Sequence, residues 1–466
     1  MPVRDQGQAV DLLVVGGGIA GLAAAWAAHR RGWTVAVLEA EAVVGGKLRT
    51  DRIDGYLCEW GPHTFLGSAH TLWRLIDELG LHDQVVASLP PGDRFVFRGG
   101  RARRLPSDPG SALRGDFLSW RGKLRVAAEP FITGAPDPDE TVLEFARRRL
   151  GDEAARYLIA PFVAGIHAGQ AGELGLADAF PKLARLEAEA GSLVLGALLG
   201  VGATPSAASV AAEQTRRPGQ FSFADGMGTL AQALATALPK GAVHTGAAVR
   251  ALRAAGRQWQ VATDTGSWQA ARLALAVPPK VAAQLLMAAG AAVIDELAQV
   301  PLAQVALVHL GGPDPRVLAP RGFGVLTAPG EPVRAMGMLW PSSLFAGRAP
   351  VGHWLHAVFM GGSADPAALD LSDEALVAQA RADQQATLAG LTGGAALELD
   401  FARVVRWREA IPQYLPGHRA RMQQARAALE ARWPSLALAG NYLEGVSLDD
   451  AARSGVEAVA RLARPT

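Results

Sequence analysis

Gly16, Gly18 and Gly21 are spaced Gly-x-Gly-x-x-Gly between an apolar run at residues 12–15 and an alanine-rich run that begins at Ile19 and Ala20. Glycines at this spacing let the chain turn sharply, bring backbone N–H groups against a pyrophosphate and pack a helix closely on a strand. A helix beginning there offers free N–H groups and a partial positive charge to phosphate. Glu39 closes a second apolar run at residues 34–38, where a carboxylate can accept hydrogen bonds from a ribose diol. The set reads as a dinucleotide cradle. Six residues on, Gly45-Gly46-Lys47-Leu48-Arg49 supplies a second glycine pair with basic side chains. More N–H groups and positive charge at one pyrophosphate favour a flavin dinucleotide over a nicotinamide one. At the other end of the chain, Gly440-Asn441 follows an apolar run, and Gly445-Val446-Ser447 opens an expected helix. The N-terminus of that helix suits the negative charge that develops on a reduced flavin, and Ser447 equally suits a plain N-cap.

These residues need an α/β frame. The spacing predicts strand 12–15, helix 19–31 and strand 34–38, a βαβ opening. An amphipathic helix is expected from residue 69 to Gly80. Residues 94–104 read as a β-hairpin with a Gly99-Gly100 turn and five arginines. Residues 113–212 are mostly helical in pattern. Strands are expected at 243–252, 258–263, 272–277, 303–310, 333–340, 353–360 and 401–407, with helices at 373–391 and 448–462.

The composition sets outer limits. Half of the 466 residues are hydrophobic and 19% are charged, which excludes a disordered or collagen-like chain. Lys and Arg number 45 against 44 acidic residues, so no global basic field points to nucleic acid. The single cysteine, Cys58, cannot close an intrachain disulfide, which fits a reducing compartment. Residues 1–11 are short and polar, predicting no secretory leader. Residues 190–212 carry no charge and are long enough to span a bilayer, but glycines, serines and Pro205 interrupt them. A buried helix running into a small-residue loop is expected there, with contact to a membrane surface as the intermediate option. No metal site is expected: His353 and His356 fall in a strand pattern, where i and i+3 face opposite sides. Arg147-Arg148-Arg149 reads as a solvated helix face.

The opening Val14-Val-Gly-Gly-Gly-Ile-Ala-Gly-Leu22, the Gly45-Gly46-Lys47 segment and the terminal helix resemble the FAD-dependent amine oxidase superfamily. Internal segments are similar to the oxygen-dependent protoporphyrinogen/coproporphyrinogen oxidases of haem synthesis. They include Arg94-Phe-Val-Phe-Arg-Gly-Gly100, Pro161-Phe-Val-Ala-Gly-Ile-His-Ala-Gly169, Phe221-Ser-Phe-Ala-Asp-Gly-Met227, Gly322-Phe-Gly-Val-Leu326 and Gly440-Asn-Tyr-Leu-Glu-Gly-Val-Ser447. They run through nearly the whole chain in family order. The resemblance implies a Rossmann-like FAD-binding domain (1–92, 219–285 and 400–466). It also implies a mixed-sheet substrate domain (93–112 and 286–399) and a helical, membrane-associating domain (113–218). It implies oxidation of protoporphyrinogen IX to protoporphyrin IX, by hydride transfer from a meso carbon to flavin N5, with oxygen reduced to peroxide. Coproporphyrinogen III, or a sister amine oxidase or desaturase activity, is the alternative. A cytoplasmic location, peripheral to the inner face of the cell membrane, goes with it; homodimerisation is left open.

Carried over by motif, the resemblance places Gly16, Gly18, Gly21, Glu39, Lys47, Gly61, Val249, Trp407, Val446 and Ser447 against FAD. Their neighbours Gly17, Ile19, Ala20, Ala40, Gly46, Pro62 and Gly440 go with them. Arg94 matches an arginine that pairs with a substrate propionate, a task suited to a bidentate fork. Gly165 matches a glycine facing the tetrapyrrole centre, and Met336 and Phe359 match apolar positions that sandwich it. His63 departs from the pattern beside the flavin: it either polarises the ring, as the one candidate catalytic side chain, or lines the pocket. His167 replaces a more usual aromatic, which puts substrate contact there in doubt. Arg98 either serves a second carboxylate or faces water.

Overall fold

The computed structural model describes residues 8–90, 92–132, 137–193, 217–256, 258–291, 295–314 and 318–464. The uncharged stretch 190–212 therefore lies, from residue 194 on, outside the described residues. Two seven-stranded sheets carry the architecture, with helices on their faces. The chain is a mixed α/β protein.

The first sheet orders its strands Val243–His244, Val35–Leu38, Gln8–Val15, Gly266–Leu275, Gln258–Thr263 and Val249–Ala255, and Leu436–Leu438 also pairs with Gly266–Leu275. Its central strands are parallel and buried on both sides, which is why Leu12 to Val15 and Val35 to Leu38 read as continuous apolar runs. Leu12, Val14, Val35 and Val37 face the helices Ile19–His29 and Leu448–Leu462. Leu13, Val15, Ala36 and Leu38 face the opposite core, with Leu285, Leu286, Met422 and Leu429.

The second sheet runs Phe401–Pro412, Leu302–Pro313, His353–Gly361, Gly337–Leu339, Gly324–Thr327, Arg94–Arg98 and Arg101–Arg104. One face, with Val308, Val325, Met338 and Val358, packs on Leu376 and Ala380 of helix Asp373–Leu388. The other face, with Val305, Leu307 and Val405, packs against Trp60, Phe359 and Trp407. The Gly-Gly hairpin turn is as expected: Gly99 and Gly100 have φ of 60° and 71°.

Two expectations are corrected. Arg147-Arg148-Arg149 is not a solvated face: Arg149 is 1% exposed and paired with the fully buried Glu129, and Arg148 bridges Glu140 and Glu187. Only Arg147 is open to water, beside Asp152. The first helix ends at His29 rather than residue 31, because Trp33 N–H bonds back to Ala28 and closes the turn through Gly32.

A buried polar knot joins distant parts of the chain. Glu59 is 1% exposed and accepts from Thr50 Oγ1 at 2.6 Å and Met227 N–H at 2.9 Å. Arg348, also buried, donates to Ser222 Oγ and the carbonyls of Phe223 and Ala224. Burial raises the Glu59 carboxyl to about 7, against hydrogen bonds and Arg348 that lower it. The folded state therefore holds a proton that the unfolded chain releases near pH 4.5. Stability should fall as pH rises from about 4.5 to about 7 and level off above. Glu59→Gln is predicted to flatten that slope in denaturant melts across the window, and an unchanged slope would assign it to another group.

Candidate functional site

The cradle is built from backbone. Gly16 leaves the first strand at φ 104°, and its N–H donates to the Leu38 carbonyl at 2.8 Å. Gly17 N–H donates to Glu39 Oε2 at 2.6 Å, and Glu41 N–H to Glu39 Oε1 at 2.8 Å. The Glu39 carboxylate is thus held beside the glycine loop with lone pairs to spare. Gly18 caps the helix Ile19–His29, whose first residues Ile19 and Ala20 are buried, and a Cβ there would meet nothing within 4 Å. A Cβ at Gly21 would overlap the Gly16 carbonyl. Gly45 N–H donates to the Gly17 carbonyl at 2.8 Å, and Gly46, at φ 57°, packs on Gly18. The two glycine motifs therefore meet as one surface. Glu39 N–H and C=O bond to His244 and Ala247, which brings the strand starting at half-buried Val249 to the same end; Ala40 is exposed.

Toward the second sheet the lining turns aromatic. A Cβ at Gly61 would lie 2.6 Å from the Lys47 carbonyl, and half-buried Pro62 leads into buried His63. The Lys47 ammonium sits 5.5 Å from the Trp407 ring centre, and desolvation lowers it to about 8, with Glu409 opposing. Trp407 donates from Nε1 to the Trp60 carbonyl at 2.6 Å, and the two indoles meet edge-on at 5.9 Å. The His63 ring lies 5.9 Å from His309 and 5.9 Å, edge-on, from Phe359. Burial, reinforced by His309 and Arg348, holds His63 neutral, well below its ordinary value. Its Nε2 is buried with no hydrogen-bond partner among the described residues. His309 gives its Nε2–H to the Glu59 carbonyl at 2.9 Å, and burial lowers it to about 4. Sequence reasoning missed His309 and Trp60. Trp60 directly precedes Gly61-Pro62, and His309 alternates with Leu307 on one strand face.

Register places the remaining residues. Val96, Leu326, Gly337, Phe359, Leu307 and Val405 form one row across the sheet, and Trp407 lies opposite Val305 on the same face. Arg94, Gly324, Leu339, Ala357, His309 and Arg403 form the adjacent same-face row. Arg94 and His63's neighbours therefore share a surface. Met336 packs beside Phe359 and Trp407, and its N–H donates to the Phe359 carbonyl at 2.8 Å. Gly165 is exposed in helix Ala160–His167, and a Cβ there would lie 2.8 Å from Leu326. Arg98 serves neither expected role: it pairs with Glu153 at 2.8 Å and stacks on Tyr157. His167 turns inward, 2% exposed, against Phe180 and Tyr414. At the closing helix, Gly440 N–H donates to Ser454 Oγ at 2.8 Å, and half-buried Val446 precedes Ser447. Ser447 caps Asp450 N–H at 3.1 Å, while Asp449 and Asp450 place carboxylates in that helix's first turn.

The cradle fits a dinucleotide: close backbone approach without Cβ atoms, a placed carboxylate and an orphaned imidazole nitrogen at its far end. Fold and site define a flavin dinucleotide oxidoreductase. The family model described as flavin containing amine oxidoreductase matches residues 19–463. A coproporphyrinogen III oxidase of Propionibacterium freudenreichii subsp. freudenreichii is 34% identical over 476 aligned residues, covering 94% of this chain and 88% of the relative. The chloroplastic protoporphyrinogen oxidase 1 of Spinacia oleracea is 30% identical, covering 97% and 84%. A crystal structure from Exiguobacterium sp. 255-15, provisionally assigned as a protoporphyrinogen oxidase, superposes with a TM-score of 0.83 at 26% identity, over 98% of this chain and 99% of that one. The chain belongs to the flavin-containing amine oxidoreductase family and is an FAD-dependent enzyme.

Gly21→Ala forces a methyl group into the Gly16 carbonyl. The variant is predicted to purify with less than about a tenth of the wild-type flavin, read from absorbance after denaturation, as displacing the loop disrupts backbone contacts to the pyrophosphate. Full flavin content would contradict the cradle geometry.

Proposed function

We propose that the enzyme oxidises a porphyrinogen, protoporphyrinogen IX by the first reading, to the corresponding porphyrin. The observation that carries this is Arg94, a guanidinium with no carboxylate partner among the described residues, on the same sheet face as Phe359, Leu307 and His309. An apolar wall with one free guanidinium at its edge matches a hydrophobic macrocycle bearing carboxylates. A small amine would leave Arg94 unused. Coproporphyrinogen III is the second reading, favoured by the name of the Propionibacterium relative.

When bound, FAD would supply a two-electron acceptor that oxygen reoxidises with release of peroxide, and three such oxidations would remove the six electrons that separate a porphyrinogen from its porphyrin. The chain's own residues would do the positioning. Gly16, Gly18, Gly21, Gly45 and Gly46 would admit the pyrophosphate to backbone N–H groups, and Glu39 would hold the ribose. Val249, Gly440, Val446 and Ser447 would line the ends of the cofactor. Lys47, Trp407 and Gly61 would flank it, and neutral His63 would face it with a hydrogen bond that adds no charge. Phe359, Met336, Leu326 and the backbone at Gly165 would hold the macrocycle in place and exclude water. Arg94 would bind a propionate through two parallel N–H bonds.

The three interleaved domains remain the proposed division; strand Phe401–Pro412 belongs to the second sheet and would carry Trp407 to the cofactor. Membrane contact is proposed at residues 113–166, where Leu113, Trp120, Leu124, Phe131, Phe162 and Ile166 are exposed among basic residues. No helix among the described residues is long and apolar enough to cross a membrane. A peripheral site on the cytoplasmic face fits this surface and the lone cysteine.

The test is steady-state kinetics with both porphyrinogens. Arg94→Ala is predicted to lower kcat/KM by tenfold or more, since a charge-assisted hydrogen bond contributes about 1.5–3 kcal/mol, while flavin content stays at wild-type level. Loss of flavin with unchanged kinetics per bound FAD would overturn the placement.

A further inference from the structure

We propose that Phe323 is a positioning residue that holds Arg94 as a vacant, pre-aimed carboxylate receptor; the identity of the carboxylate's owner rests on the porphyrinogen reading. The Phe323 ring centre lies 4.8 Å from the Arg94 guanidinium carbon. Stacking through the π face leaves the edge N–H groups of the guanidinium free for an acid.

The ring itself is held by a backbone that admits little else. Phe323 N–H donates to the Asp93 carbonyl at 2.6 Å, and its carbonyl accepts from Trp340 N–H at 3.1 Å. Gly322 has φ 139°, and a Cβ there would lie 2.7 Å from the Asp93 carbonyl oxygen. Gly324 has φ 149°, and a Cβ there would overlap the Met338 carbonyl. Gly322 N–H is further tied to Ser343 Oγ at 2.8 Å. The Gly-Phe-Gly run thus presses residue 323 flat against the strand that carries Arg94.

The competing acid is removed as well. Asp93, adjacent to Arg94, has its carboxylate 2.5 Å from Arg104. Three of the other four hairpin arginines are engaged: Arg98 with Glu153, Arg103 with Asp116, Arg104 with Asp93. The fifth, Arg101, is exposed at the turn end of the hairpin, opposite Arg98, whereas Arg94 keeps its unpaired fork in the row of His309. An exposed arginine normally loses rotamer freedom when it binds, and the aromatic platform reduces that loss in advance.

The experiment compares a porphyrinogen free acid with its alkyl ester in wild type, Phe323→Leu and Phe323→Tyr. Phe323→Leu is expected to raise KM for the acid roughly two- to fivefold, the range of an exposed cation–π contact, with kcat and the ester KM unmoved. Phe323→Tyr is expected to restore the acid KM. An unchanged acid KM in Phe323→Leu, or equal losses for acid and ester, would overturn the platform. A wild type that oxidises neither compound would overturn the porphyrinogen reading instead. Binding of the porphyrin acid against its ester, followed by fluorescence quenching, would then judge the platform alone: preference for the acid that Phe323→Leu weakens supports it, and a preference unaltered by the variant refutes it.

Discussion

The helix Ile19–His29 is squeezed from both sides by backbone. At its first turn Gly21 lies against the Gly16 carbonyl, and on its outer side Gly455 of the closing helix lies against the Ala20 carbonyl. A methyl group at either glycine would overlap an oxygen. This double approach brings the N-terminal loop and the C-terminal helix to one place, although more than 400 residues separate them. Once both ends of the chain converge there, everything between must leave the first sheet and return to it. Between those two contacts the chain crosses from the first sheet to the second and back more than once.

The second sheet profits from the same convergence. Its face opposite helix Asp373–Leu388 packs at Val96 and Leu326 on Tyr157 and Leu158, and farther along meets Trp60, His63 and Trp407. Burial keeps His63 and His309 uncharged, and desolvation weakens the charge on Lys47. The lining between the glycine cradle and Arg94 is therefore mainly aromatic rings and uncharged imidazoles, with Lys47 and the Arg403–Asp51 pair as its charged members. Such a layout suits hydride transfer, in which no strong general base is needed and stray water is harmful.

How much of this could be read beforehand depended on distance along the chain. The cradle was legible because the glycines and Glu39 fall on one βαβ unit and Gly45-Gly46-Lys47 follows it directly, so short-range spacing places them. The hairpin at Arg94 was legible from its Gly-Gly turn, but the expected strand 243–252 divides into Val243–His244 and Val249–Ala255 on opposite edges of the first sheet, 333–340 is a strand only at Gly337–Leu339, and Gly324–Thr327 was not expected. His309, Trp60 and Phe323 were not found, because each acquires its role through a neighbour far away in sequence: His63, Trp407 and Arg94. Arg149 failed for the same reason, since its partner Glu129 lies 20 residues back and turns a charge run into a buried knot. Arg98 looked free until Glu153 arrived from another helix. Local pattern reports local geometry; long-range pairing decides which charges remain unpaired.

The proposed activity requires electrons to pass from a porphyrinogen to the bound flavin of this chain. The direct measurement is anaerobic mixing of the purified yellow protein with protoporphyrinogen and, separately, coproporphyrinogen, followed at the flavin absorbance band. The account predicts bleaching of the flavin with at least one of them, and recovery of colour with peroxide and porphyrin fluorescence when air is admitted. A flavin that stays oxidised with both, yet bleaches with amines, would contradict it.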